Sequence, residues 1–362
     1  MTTSDRGPMD QFAAHLDRGW DLVSRGDLAG ALLSAEKTVE LDAQSPEAHN
    51  LMGYVLAAEV KAEEAVDHYR QAIDLDETFV EAMLNAAEVL IHPLHDYDAA
   101  LGLIDDALDL SEGDDEVADA MLLKFDAYLH SGDREAAKRV IAALPDGPFE
   151  NPNLDFLIGR ARFETGDADG AEPRIRAAIA REPEHAEAHY YLGLVLEAKG
   201  DPRGATVAFL HTRDLDFAQG DAPWALPAEQ FERRVQLALA ALDEALRSVV
   251  DGALVVVADL PGVEVLADGV DPRLGVLLDG LSTEKETPRA ERVFVYQRNI
   301  ERAAGGVAEL DEELQHALEA EIYSAFPALA PAAGDDGSAS AAHVHAVREK
   351  QDDADDDDEV SN

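Results

Sequence analysis

The sequence predicts a mainly α-helical chain: a superhelix of tandem helix hairpins over residues 10–225, a small α+β domain over 226–330, and a disordered acidic tail over 331–362. Three observations carry that prediction: a periodic glycine–alanine beat, apolar helical stripes on either side of a β-rich patch, and a terminal run of acids. Gly26, Gly132, Gly166 and Gly200 each precede an alanine by five residues (Ala31, Ala137, Ala171, Ala205), and the last three glycines are spaced by 34. A fixed period of that length marks stacked two-helix units, none of which can bury its apolar face alone.

The small residues have a physical reason to recur. A small residue in the first helix and an alanine in the second let two backbones approach, while the glycine between them ends the first helix in a left-handed conformation. The pattern resembles the tetratricopeptide repeat family. Its units fall at 16–42 (Gly19, Trp20, Gly26, Leu28, Ala31), 47–75 (Gly53, Ala65, Tyr69, Ala72), 81–110 (Ala87, Tyr97, Ala100, Ala107), 121–144 (Gly132, Ala137), 153–183 (Gly159, Gly166, Ala171, Ala178, Pro183) and 187–215 (Gly193, Gly200, Ala205, Phe209). Units one, two, five and six match specifically. Units two and three lack the turn glycine, with Val60 and His95 near its place, and unit four has Phe125 where a small residue is expected.

Composition sets outer limits. The 362 residues contain no cysteine, which excludes disulfides and thiol chemistry. Seventy-six Asp and Glu against 29 Lys and Arg give a formal net charge of -47, which opposes binding to nucleic acid or to an anionic membrane. Only seven of the basic residues are lysine, so genome composition or a salty cytoplasm accounts for the acidity as well as a binding function would. The first ten residues, MTTSDRGPMD, lack the apolar run of a signal peptide, and no stretch has the length of a membrane span, so a cytoplasmic protein is expected.

The helical period breaks at 217–227, FAQGDAPWALP, where two prolines, a glycine and a tryptophan mark a boundary. From Pro227 a long helix to about Val250 is expected, its stripe being Phe231, Val235, Leu239, Leu242, Leu246 and Val249. Strands are expected at 253–258, at 263–266 and at 292–296. A final helix over 307–326 buries Leu310, Leu314, Leu318, Ile322 and Phe326.

This order, with FERRVQLALAALDEAL, ALVVVADLPG, GVLLDG, VFVYQRNIER and ELDEELQHALEAEIYSAF, resembles a family of minimal zincin-like metallopeptidase domains. The resemblance implies His-Glu-x-x-His in the last helix, two histidines one turn apart binding Zn²⁺ and the glutamate activating its water. The aligned residues here are Ala320, Glu321, Ile322, Tyr323 and Ser324, and none of the 12 histidines in the chain is followed by Glu. The resemblance therefore implies a pseudopeptidase without catalytic residues, metal or cofactor; Glu321 is a remnant at the base position or a polar residue beside the apolar stripe. His185 and His189, four apart, are expected to pack or face solvent rather than clamp a metal, and His92 and His95 to sit in a solvent-facing turn.

In the repeat family the first helices line the concave surface. The residues after the small position are Trp20, Tyr54, Glu88, Asp126, Arg160 and Leu194, and one turn earlier come Leu16, Asn50, Leu84, Leu122, Phe156 and Tyr190. From these a partner-binding groove is expected at Trp20, Asn50, Tyr54, Glu88, Asp126, Phe156, Arg160 and Tyr190, with Asn50 bonding a partner backbone and the acids attracting Lys or Arg. The tail ends in QDDADDDDEVSN, seven acids and no base. Together these features predict a non-enzymatic scaffold that binds a protein or peptide partner, with a basic partner favoured by the charge. Two alternatives stay open: a metallopeptidase-like hydrolase with unrecognised ligands, and an acidic holder of a basic protein.

Overall fold

The computed structural model describes residues 8–282 and 288–331; the acidic tail lies outside the described residues apart from its first position. The chain divides into two compact units, 1–201 and 202–362.

The first unit is a row of helical hairpins. They are α1 (Pro8–Ser24) with α2 (Leu28–Leu41), α3 (Pro46–Ala58) with α4 (Ala62–Leu75), α5 (Val80–Ile91) with α6 (Tyr97–Leu110), α7 (Asp114–His130) with α8 (Arg134–Ala142), and α9 (Leu154–Glu164) with α10 (Ala168–Arg181); α11 (Ala186–Ala198) ends the unit. Each odd-numbered helix packs on the next odd-numbered one, so the first helices form one continuous layer.

The turns show why the glycines recur. Gly26, Gly132, Gly166 and Gly200 all have φ between +74° and +90°. In hairpins two and three the same left-handed position is held by Val60 (φ +62°) and His95 (φ +55°). The next residue then caps the second helix: Asp27, Asp96, Asp133 and Asp167 accept from the backbone N–H three residues on, at 2.8–3.2 Å. At the small positions, a β-carbon on Gly53 would stand 2.7 Å from the Tyr69 ring and one on Gly159 2.6 Å from Ile175. The core runs through the first four hairpins, from Ala31 and Leu51 to Ile104 and Ala127, and a second cluster around Phe125, Ile141, Phe149 and Ile158 continues it.

Hairpins four and five are joined by the long connection 143–153. It is fastened from both sides. Asp115 of α7 accepts the N–H groups of Glu150 and Asn151 at 3.0 and 2.7 Å. From α10, Arg174 donates to the Asp146 carbonyl at 2.9 Å, and Arg181 donates to the Phe149 and Glu150 carbonyls at 2.9 and 2.8 Å.

The second unit begins with α12 (Pro202–Gln219) and continues through α13 (Ala228–Ala241), α14 (Glu244–Val250), β1 (Leu254–Ala258), α15 (Val263–Ala267), β2 (Val276–Asp279), β3 (Arg292–Tyr296), α16 (Gln297–Ala304) and α17 (Leu310–Ala325). The sheet order is β1-β3-β2, with β1 parallel and β2 antiparallel to β3. The expected stripes of α13, α14 and α17 are all buried and meet the inward residues Val276, Leu278, Val293 and Val295. In α12, Asp216 is buried and held by Arg273 at 3.3 Å and Arg302 at 2.9 Å. Trp224 and Leu226 of the proline-rich segment pack on the same core, and buried Glu301 accepts the Leu226 N–H at 2.9 Å.

Two expected elements differ. The helix over 227–250 is broken at Leu242, because the Asp243 side chain accepts the Leu246 N–H at 2.9 Å and starts a new helix. The expected strand at 263–266 is the short helix α15, whose first turn closes on the Gly262 carbonyl; it buries only Leu266, not two alternate valines.

Candidate partner-binding groove

The surface residues of α5, α7 and α9 come from one helical arithmetic. On α5, Glu81, Leu84 and Glu88 follow at spacings of three and four, and on α7 Asp119, Leu122 and Asp126 repeat the pattern, so each leucine has an acid one turn before it and one turn after it. On α9 Arg160 stands where α5 and α7 carry their second acid, and Leu157, one residue past the place of Leu84 and Leu122, reaches the same surface. These side chains, with Asn85, line a cavity of about 420 Å³.

Its electrostatics are uneven. Burial pushes the Asp126 carboxyl above the usual carboxylate range, against the pull of Arg160, His92 and His130. Burial also raises Asp119, helped by Asp115, and raises Glu164, which Arg160 and a hydrogen bond from Tyr191 only partly offset. The Tyr191 hydroxyl, donating to Glu164 at 3.2 Å, is itself pushed up to about 12, mainly by burial. Arg160 stands 3.5 Å from Glu164. Four carboxylates and one guanidinium thus line the cavity, an arrangement that attracts cations.

Seven of the eight expected groove residues divide into three groups. Glu88, Asp126 and Arg160 meet at the cavity. Trp20 and Tyr54 form an edge-on pair at 5.2 Å on α1 and α3, outside the cavity lining, with Tyr54 exposed. Asn50 and Phe156 are turned to support. Asn50 is 2% exposed, donates to Glu81 at 3.0 Å and accepts from Asn85 at 3.1 Å, so its amide joins α3 to α5 instead of waiting for a partner backbone. Phe156 is 5% exposed, against His185 at 4.6 Å and Tyr191 at 5.7 Å. Tyr190 is half-buried edge-on to Tyr191, and Leu194 is buried.

Glu81, Asn85 and Asp119 were missed from the sequence. Glu81 and Asp119 stand seven residues before Glu88 and Asp126, two turns along the same face, and that spacing could have found them. His185 caps α11 through the Ala188 N–H, and His189 bonds the Pro183 carbonyl. His92 and His95 are exposed at the α5–α6 turn, His92 edge-on to His130.

The family described as Tetratricopeptide repeat matches residues 16–78 and 156–210. Over those two spans the chain is similar to tetratricopeptide repeats. The matched spans cover most of hairpins one and two and most of the pattern of units five and six; α5 to α8 lie outside them, so of the three helices lining the cavity α9 alone falls within a match. Among solved structures, that of pilF from Pseudomonas aeruginosa is 17% identical and covers 63% of this chain and 99% of its own, with a TM-score of 0.49. PilW, described as a widely conserved type IV pilus biogenesis factor, is 17% identical over 56% of this chain and 92% of its own, with a TM-score of 0.47. YrrB, described as a TPR protein with an unusual peptide-binding site, is 18% identical over 50% of this chain and 91% of its own, with a TM-score of 0.38. No curated protein matches the chain. No helix among the described residues is long and apolar enough to cross a membrane.

Proposed function

We propose that this protein is a cytoplasmic, non-enzymatic scaffold whose tetratricopeptide array, 10–225, binds a partner segment in the groove of its first helices. Tetratricopeptide repeats generally act as protein-interaction scaffolds. The observation that carries the reading is the cavity across α5, α7 and α9, with partly exposed leucines on its floor and acids at its edges. Such a surface suits a protein segment with basic residues and repels nucleic acid.

The domain over 226–330 is read as a zincin-like fold kept for shape or partner contact. In support, neither motif position flanking Glu321 carries an imidazole, being Ala320 and Ser324. The Glu321 carboxylate is also engaged by the backbone of β2.

Site-specific photo-cross-linking in the full chain tests the groove. A cross-linker in place of Leu122 should yield a discrete protein adduct in native lysate, and one on exposed Asp106 of α6 should not. Adducts only from Asp106, or from neither position, would remove the groove assignment.

A further inference from the structure

This inference rests on the groove reading and names what the groove accepts. Two features of its floor and edges constrain the occupant independently. The first is spacing. Leu84, Leu122 and Leu157 sit on three successive packed helices, and packed helix axes lie about 8–10 Å apart. A helix advances about 10.5 Å in seven residues, two turns, and so returns a side chain to the same face at each leucine. An extended chain covers that distance in about three residues, an odd step that turns alternate side chains away from the floor.

The second feature is the acidic edging. The acid-x-x-Leu-x-x-x-acid pattern occurs on both α5 and α7, so two short acidic rows, Glu81 with Asp119 and Glu88 with Asp126, flank the leucines of those helices, and Arg160 stands at the second row's place on α9. Of these acids Glu81 and Glu88 are exposed, while Asp119 and Asp126 are held partly out of water and burial disfavours their charge. A cation arriving from a partner would offset that cost. The chain's own terminal run of seven acids is unsuited to this place by like charge.

We propose that the groove takes an amphipathic helix of a partner protein, its apolar seam repeating every seventh residue over Leu84, Leu122 and Leu157, and its flanking lysines or arginines facing the two acidic rows. The partner helix lies across α5, α7 and α9, with its polar back exposed.

Fluorescence anisotropy with the full chain at physiological salt tests this with three labelled peptides of about 20 residues. One carries leucine at every seventh position with lysines on both flanks; the second is a scramble of the same composition; the third has glutamate for lysine. Only the first should bind, and the E88Q/D126N double variant should weaken it at least about tenfold. The charge-matched D106N/D109N variant on α6 should change it less than about twofold. Equal binding of the scramble would overturn the helical seam, equal binding of the glutamate peptide would overturn the acidic rows, and binding by none would overturn both. The cross-link from the Leu122 position separates this failure from failure of the groove itself. An adduct there without the peptide preferences leaves the groove standing and removes the helix.

Discussion

Glu321 of α17 accepts a hydrogen bond from the backbone N–H of Leu278 on β2 at 2.9 Å. Leu278 lies on an edge strand, and its outward N–H would otherwise have no ladder partner. The Glu321 carboxylate is therefore tied to the sheet. Glu321→Ala should destabilise the domain by about 1–3 kcal/mol, while Glu321→Gln, which keeps an acceptor, should recover most of it. Denaturant melts of the two variants check this, and equal stability of both would assign the bond no structural weight.

Val60 occupies the left-handed turn position with 84% of its surface exposed. A β-branched residue gains nothing there to balance its backbone strain. Val60→Gly should raise stability by about 0.5–1 kcal/mol after the entropy of the unfolded glycine is counted. A lower midpoint in chemical denaturation would contradict the assignment of strain.

Gly53 marks a close approach of α3 and α4. An added methyl group meets the Tyr69 ring at 2.7 Å, and Tyr69 is 1% exposed with no room to retreat. Gly53→Ala should cost about 1–3 kcal/mol despite the better helix propensity of alanine. Thermal unfolding measures it, and a neutral result would mean that the hairpin opens easily.

Asp126 gives a pH dependence of definite sign. Its carboxyl is raised above 3.8, chiefly by burial, so its contribution to stability is present below that value and is lost as the pH rises through the folded-state pKa. Asp126→Asn should match the parent protein at low pH and exceed it at neutral pH, while binding a basic partner less well. Melting curves across the acid range read the crossover; a constant difference at every pH would reject the burial argument.

The turn glycines were legible because a left-handed backbone leaves few alternatives to glycine. Val60 and His95 show that the position survives without it, since the packed helices on either side hold the short turn in place. The stripe from Phe231 to Val249 was read correctly in its burial and wrongly in its continuity. Its spacing of three and four persists across the break, and only Asp243 signals a cap. Val263 and Val265 suggested a strand, but a span of four residues is too short for periodicity to outweigh the turn made by Gly262. In the groove, helical spacing put Glu88, Asp126 and Arg160 on one face, and the structure brings them to one cavity. The same spacing could not tell that face from the contacts between neighbouring first helices, which is where Asn50 and Phe156 went.

The strapped connection between hairpins four and five has a mechanical consequence. A stack of hairpins flexes like a coil spring, and its pitch is softest where one turn merely rests on the next. Here Asp115 grips the connection from α7 while Arg174 and Arg181 grip it from α10, the packing partner of α9. The brace fixes the gap between α7 and α9, two of the three walls of the cavity, and gives the coil a stiff turn at the place where it would hold its load.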